Sequence, residues 1–167
     1  RGGAADQNLI LLDDVPVYNA YHLYGMFGAF NSDIVKSSKF YRGIFPADKG
    51  GRLSSVVDIQ TREGSSEKIS GALSVGILSS RIYIGGPIFN GKTTYSLAFR
   101  RSFFDYLVQP IGSSLQFGNL TLVNKYFFWD VNAKITHRFS EKSRITLSAY
   151  SGLDYAGFLD PKTFNLG

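Results

Sequence analysis

The chain has 167 residues, room for one ordinary domain or a small domain plus part of a second, and far fewer than a large barrel needs. It contains no cysteine, which removes disulfide scaffolds, thiolate metal sites and a cysteine nucleophile together. Residues 1–67 carry 7 Lys+Arg against 8 Asp+Glu and residues 68–167 carry 11 against 5, so the net charge of +5 belongs to the second part, where the bases are spread along the chain and form no nucleic-acid-binding stripe.

The chain opens at Arg1 without an export signal, which would lie upstream. Asn8-Leu9-Ile10-Leu11-Leu12 predicts a buried strand, ended by Asp13-Asp14 and a turn at Pro16. Asn31-Ser32-Asp33 predicts a helix start with room for a turn or two. Lys36 to Tyr41 and Leu53 to Gln60 predict further strands, separated by Gly43, Pro46 and Gly50-Gly51. Up to about Gly64 the expectation is a compact, loop-rich α+β unit.

From about Lys68 the pattern changes to period two. Ile69 to Leu78, Thr94 to Phe103, Tyr126 to Phe139 and Arg144 to Tyr155 each alternate. Phe127, Trp129, Val131, Ala133, Ile135, His137 and Phe139 share one face, opposed to Tyr126, Phe128, Asp130, Asn132, Lys134, Thr136 and Arg138. That alternation exceeds the roughly 9 to 11 residues that cross a bilayer at a tilt. No apolar run is long enough for a membrane helix, so a chain of this kind that crosses a bilayer does so as strands. Rings near the strand ends, charged opposite faces, tight links at Asn90-Gly91-Lys92 and Ser140 to Ser143, and a long one from Asp105 to Lys125 favour a membrane barrel. A short Ser79-Ser80 link counts against it. A soluble β-rich binding or adhesion module remains the alternative.

Gly86-Pro87-Ile88-Phe89-Asn90-Gly91-Lys92-Thr93 satisfies a phosphate-loop pattern. That motif needs a helix directly after it, whereas Thr94-Tyr95-Ser96-Leu97-Ala98-Phe99 predicts a strand, so no nucleotide cofactor is expected. His22 lies in an aromatic-rich stretch, Tyr18-Asn19-Ala20-Tyr21-His22-Leu23-Tyr24, which reads either as a loop packed on its own rings or as a ligand-contacting loop. No Ser-His-Asp set, paired carboxylates or metal-ligand spacing emerges, so neither an enzyme nor a metal site is expected.

Taken in order, several segments resemble the TonB-dependent outer-membrane receptors, especially those of Bacteroidetes. These are Arg1-Gly2-Gly3, Leu11-Leu12-Asp13-Asp14-Val15-Pro16-Val17, Phe40-Tyr41-Arg42-Gly43, Pro46-Ala47, Gly50-Gly51-Arg52-Leu53-Ser54-Ser55-Val56 and Gly85-Gly86-Pro87-Ile88. Two positions depart from the family pattern: Asp14 stands for a usual Gly, and Lys49 for a usual aromatic. The resemblance implies that residues 1–67 are the C-terminal part of a plug domain. Residues 68–167 would be about five antiparallel strands opening a transmembrane β-barrel that further chain closes. It implies active import of a scarce ligand, a metal chelate, cobalamin or glycan, across the outer membrane. The implied partners are the TonB complex, acting through an upstream segment, outer-membrane lipid, the transported small ligand and a surface lipoprotein. Within that frame, loop position and ring content place ligand contacts at Tyr21, His22, Tyr24, Phe27, Asp48 and Lys49.

Overall fold

The computed structural model describes residues 7–22, 25, 27–88, 90–107 and 123–158. Eleven strands are present among them: β1 (Asn8–Leu12), β2 (Val15–Pro16), β3 (Tyr21–His22), β4 (Phe27–Gly28), β5 (Val35–Arg42), β6 (Ser55–Thr61), β7 (Ser70–Val75), β8 (Ser79–Ile88), β9 (Thr93–Ser102), β10 (Val123–Arg138) and β11 (Arg144–Phe158). They form a four-stranded sheet in the order β2-β1-β6-β5, a small hairpin β3-β4, and a five-stranded sheet in the order β11-β10-β9-β8-β7.

The N-terminal sheet is built on β6, which pairs parallel with β1 and antiparallel with β5. In the central β6, Val56 and Ile59 are buried, opposite Leu9 and Leu12 of β1. The turn after β1 falls on Asp13-Asp14 and not at Pro16, which lies in the return strand β2. Both aspartates have positive φ, 50° and 68°. Positive φ at both central positions is what a tight two-residue hairpin link requires, and aspartate tolerates it better than most side chains. The helix expected after Asn31 reduces to one turn: Asn31 Oδ1 accepts from the Asp33 amide at 3.1 Å, and the Asn31 carbonyl from Ile34 at 3.2 Å. Asparagine's side chain competes with a continuing helix here, and β5 begins at once.

The second sheet is a sequential antiparallel meander. Its strands pair without slips except for one irregularity between Val123 and Lys125. Ser79 and Ser80 are already in β8; the reversal lies before them, closed by the Gly76 amide on the Ser79 carbonyl at 3.0 Å. Asn90 and Gly91 turn the chain from β8 to β9 at φ 57° and 79°, and β9 starts at Thr93. The phosphate-loop look-alike is therefore the end of a strand, a turn and another strand, with no helix behind it. A helical turn at 104–107 leads out of β9; residues 108–122 of the long connection lie outside the described residues.

The polarity of this sheet is the reverse of a soluble sandwich. On β10, Tyr126, Phe128, Asp130, Asn132, Lys134 and Thr136 are buried, while Ile135 on the other face is 47% exposed. Neighbouring strands agree: Ser96, Arg100 and Ser102 of β9 are buried, and Leu97 and Phe99 are exposed. Register carries the outward residues into apolar rows, such as Leu73, Ile82, Phe99 and Val131. The buried polar side packs against the N-terminal unit, with Ile34 of the 31–34 turn in a small core against Tyr83 and Ala98.

Residues 62–69 join the two sheets and are held in place by backbone contacts. The Arg62 amide donates to the Ile34 carbonyl at 2.8 Å, and Ser96 Oγ donates to the Arg62 carbonyl at 2.8 Å. Gly64 sits at φ 81° against the main chain of β8 and β9, where an added Cβ would collide with the Tyr95 carbonyl oxygen. Gly64→Ala is therefore expected to lower stability by about 2 kcal/mol or more, combining left-handed strain with a backbone collision. Gly28→Ala, whose Cβ meets nothing, should shift the melting temperature little. Equal melting temperatures for the two variants would contradict this account of the joint.

Candidate functional site

The site is the seam where the N-terminal unit lies on the polar face of the meander. At one end of that face the register sets Arg100 opposite Asp130, Asp130 opposite Gly152, and Phe128 opposite Asp154. Gly152 leaves room above the strand, and the β3-β4 hairpin brings His22 there, its Cε1 3.5 Å from where a Gly152 Cβ would stand. The imidazole stacks on Phe128, with centroids 4.3 Å apart and planes 4° from parallel. Its Nδ1 is 2.8 Å from Asp154 Oδ2 and its Nε2 is 3.7 Å from Asp130 Oδ2. Arg100 completes the cluster. Its Nε and Nη2 reach Asp130 Oδ2 at 2.7 and 2.6 Å, and Nη2 also donates to the Gly28 carbonyl at 2.8 Å. Tyr126 donates its hydroxyl hydrogen to Asp154 Oδ1.

One guanidinium faces two carboxylates in this cluster: Arg100 serves Asp130, while His22 Nδ1 and the Tyr126 hydroxyl serve Asp154. The arrangement thus clamps the hairpin to β9, β10 and β11 by side chains far apart in sequence, His22 and Asp154 being separated by 132 positions.

Further along the seam, Asp13 Oδ1 accepts from Lys134 Nζ at 2.7 Å and from the Thr61 amide at 2.9 Å, and Asp13 Oδ2 from Thr61 Oγ1 at 2.5 Å. Lys134 Nζ also donates to the Thr61 carbonyl at 3.1 Å. Burial by itself would raise the Asp13 pKa; the hydrogen bonds from Lys134 and Thr61 outweigh it and hold the carboxyl below its ordinary 3.8. Asp33 pairs with Arg81 at 2.8 Å, and Glu63 with Arg138 and Arg144 at 3.3 and 3.1 Å. Acids of the N-terminal unit meet bases of the meander at each of these contacts, which gives the uneven charge of the two sequence halves a physical role.

A cavity of about 370 Å³ opens along the same seam, bordered by Val17, Tyr18 and Asn19 on one side and Asn132, Lys134 and Tyr150 on the other. Asn132 Nδ2 and Asp130 Oδ1 are buried with no hydrogen-bond partner among the described residues. Each such orphan costs about 1 to 3 kcal/mol in a dry interior, so the face is suited to a wet or ligand-filled space.

The residues expected to contact ligand fall into two groups. Tyr21, His22 and Phe27 are on the β3-β4 hairpin: Tyr21 is 50% exposed, His22 is buried in the charge cluster, and Phe27 meets Phe128 at 5.3 Å between centroids. Tyr24 lies outside the described residues. Asp48 and Lys49 are on the 46–50 turn, where Asp48 is exposed and Lys49 pairs with Asp14 at 2.5 Å and Asp58 at 3.5 Å. The Asp14 hydrogen bond raises the Lys49 pKa above 10.5. Asp14 and Lys49 are thus partners of each other. Among the described residues no group of three or more His, Cys, Asp or Glu could hold a metal ion.

Because the folded pKa of Asp13 is lowered, its stabilisation is complete above the unfolded value of 3.8 and is lost as pH falls through the lower folded value. Asp13→Asn is expected to cost about 3 kcal/mol near neutral pH, by leaving the Lys134 ammonium buried without its carboxylate. The gap to wild type should stay constant down to about pH 5 and close in stronger acid; a gap that widens on acidification in urea titrations would contradict this assignment. Comparison of the chain with protein families, curated proteins and solved structures finds no match, so the functional reading rests on this geometry and on the ordered segments of the sequence.

Proposed function

We propose that this chain is the end of a plug domain and the first strands of the transmembrane β-barrel of a TonB-dependent outer-membrane importer. The observation that carries the reading is the reversed polarity of the five-stranded sheet, which buries Asp130, Asn132, Lys134 and Thr136 and turns Ile82, Leu97, Phe99 and Ile135 outward. A soluble sheet buries its apolar face; a barrel wall in lipid does the opposite, with a polar lumen and an apolar exterior.

Strand length supports the same reading. β10 has 16 residues and β11 has 15, beyond the roughly 9 to 11 that span a bilayer at a tilt. Outward rings stand towards both ends of β10: Phe127 stacks on Tyr155, and Phe139 meets His137 edge-on. Twelve positions separate Phe127 from Phe139, roughly 40 Å of strand and, at a 45° tilt, roughly 28 Å of depth, near the height of an outer-membrane apolar band.

In this reading the N-terminal sheet is the plug and the charged seam is its seat on the wall. Ligand held by the exposed side of the β3-β4 hairpin, at Tyr21 and its neighbours, favours a state in which the seam is loosened for TonB to pull. Transport without catalysis is the activity proposed. The ligand is a small metal chelate, cobalamin or glycan, taken up at the seam cavity and the hairpin.

The full-length protein is expected to fractionate with outer membranes, to need detergent for solubility, and to migrate faster unboiled than boiled in denaturing gels. A detergent-free, monodisperse monomer without heat-modifiable migration would overturn the proposal in favour of a soluble β-rich binding module.

A further inference from the structure

The outward face of the meander carries its charge at one end only. Between the row of His137 and the row of Phe99 every outward position of β8, β9, β10 and β11 is uncharged: Ile84, Tyr95, Leu97, Ala133, Ile135 and Leu147 are typical. Two cations then appear together, Arg101 opposite Trp129, and Lys125 opposite Gly157, at the end from which the long connection after β9 departs.

Both cations are held on rings. The Arg101 guanidinium carbon lies 5.1 Å from the centroid of Phe127, 5.5 Å from that of Tyr106 and 5.6 Å from that of Phe103, and Lys125 Nζ lies 5.8 Å from that of Phe127. Phe127 is therefore shared by both and is backed by Tyr155, 5.2 Å away and nearly parallel. Asp105 accepts one guanidinium N–H at 2.9 Å, which leaves the group with net charge +1 and leaves a planar, five-donor guanidinium with further donors to offer. On a lipid-facing surface a cation is costly at mid-depth and nearly tolerated near the interface. Its confinement to one end, among rings, marks a depth where charged headgroups begin.

We propose that Arg101 and Lys125, on the platform of Phe103, Tyr106, Phe127 and Tyr155, bind the phosphate of a lipid headgroup in the outer leaflet. This rests on the reading that the sheet crosses the outer membrane with its longer connections outside. The fit is chemical: a guanidinium and an ammonium share one dianionic or monoanionic group, and the adjoining row of Ile82, Phe99 and Val131 takes the acyl chains.

The test uses the full-length receptor extracted in mild detergent and native mass spectrometry with three probes: bis-phosphorylated lipid A, its dephosphorylated form, and inorganic phosphate as competitor. Wild type should retain the bis-phosphorylated lipid at least tenfold better than the dephosphorylated one. Arg101→Ala with Lys125→Ala should lose that preference, and Arg101→Lys should keep part of it. Heat-modifiable migration of the same samples reports whether each barrel is formed. An intact barrel that retains both lipids equally, or a double-alanine variant indistinguishable from wild type, overturns this inference alone. Displacement by inorganic phosphate at concentrations equal to the lipid would make this a site for soluble anions and overturn the lipid assignment. A protein that never enters the membrane fraction overturns the preceding reading and this one with it.

Discussion

The structure depends on one constraint: a sheet whose buried face is polar must have every charge on that face answered. Asp130 takes Arg100, Asp154 takes His22 and Tyr126, and Lys134 takes Asp13 and Thr61. An unpaired buried charge costs several kcal/mol, so the N-terminal unit is located by its ion pairs and not only by apolar packing. The apolar contact across the seam is small, with Ile34 against Tyr83 and Ala98 at its centre. A joint made this way is specific and also divisible, since water or a competing charge can replace each pair in turn. Under the proposed function, that suits a plug that is seated firmly and later moved.

The seam is graded along its length. At the His22 end Asp130 and His22 are almost fully enclosed, at 0% and 4% exposure, whereas Arg138 and Arg144, which share Glu63, are 52% and 60% exposed. Exposed pairs of that kind contribute about 0 to 1 kcal/mol each. The strength of the joint is therefore concentrated at the β3-β4 hairpin and the Asp13 turn. Under the proposed function, the hairpin that meets the ligand is also the hairpin that is clamped, so occupancy and release act on the same few residues. The outward face has the converse pattern, with exposed Ile, Leu, Phe and Val side chains, and under the proposed function a bilayer covers them.

Much of the meander was legible in the sequence because period-two alternation over a dozen or more residues is a strong local signal. β9, β10 and β11 begin and end within a few residues of where the alternation does, and β1 coincides with Asn8 to Leu12. Turns were less legible: Pro16 drew attention from Asp13-Asp14, and Asn31 imitated a helix start while its side chain closed a single turn. The seam was the least legible part. Its partners are 132 positions apart for His22 and Asp154, and 121 for Asp13 and Lys134, so no local pattern joins them. The charge of the two sequence halves and the acids and bases on the polar face of the strands were the available clues. His22 stood out for its aromatic neighbours, but the ring that holds it is Phe128, on a distant strand.

The central claim is that the apolar face of the meander lies in lipid while the polar face does not. The absence of cysteine from these residues allows single nitroxide labels at Leu97→Cys, Ile135→Cys and, on the opposite face, Thr136→Cys, in the full-length protein in bilayers. Power-saturation spectroscopy compares their collision with oxygen, which concentrates in lipid, and with a water-soluble nickel chelate. The account predicts that labels at positions 97 and 135 collide mainly with oxygen and the label at 136 with neither. Strong collision of the 97 and 135 labels with the nickel chelate, or strong oxygen collision at 136, would contradict it.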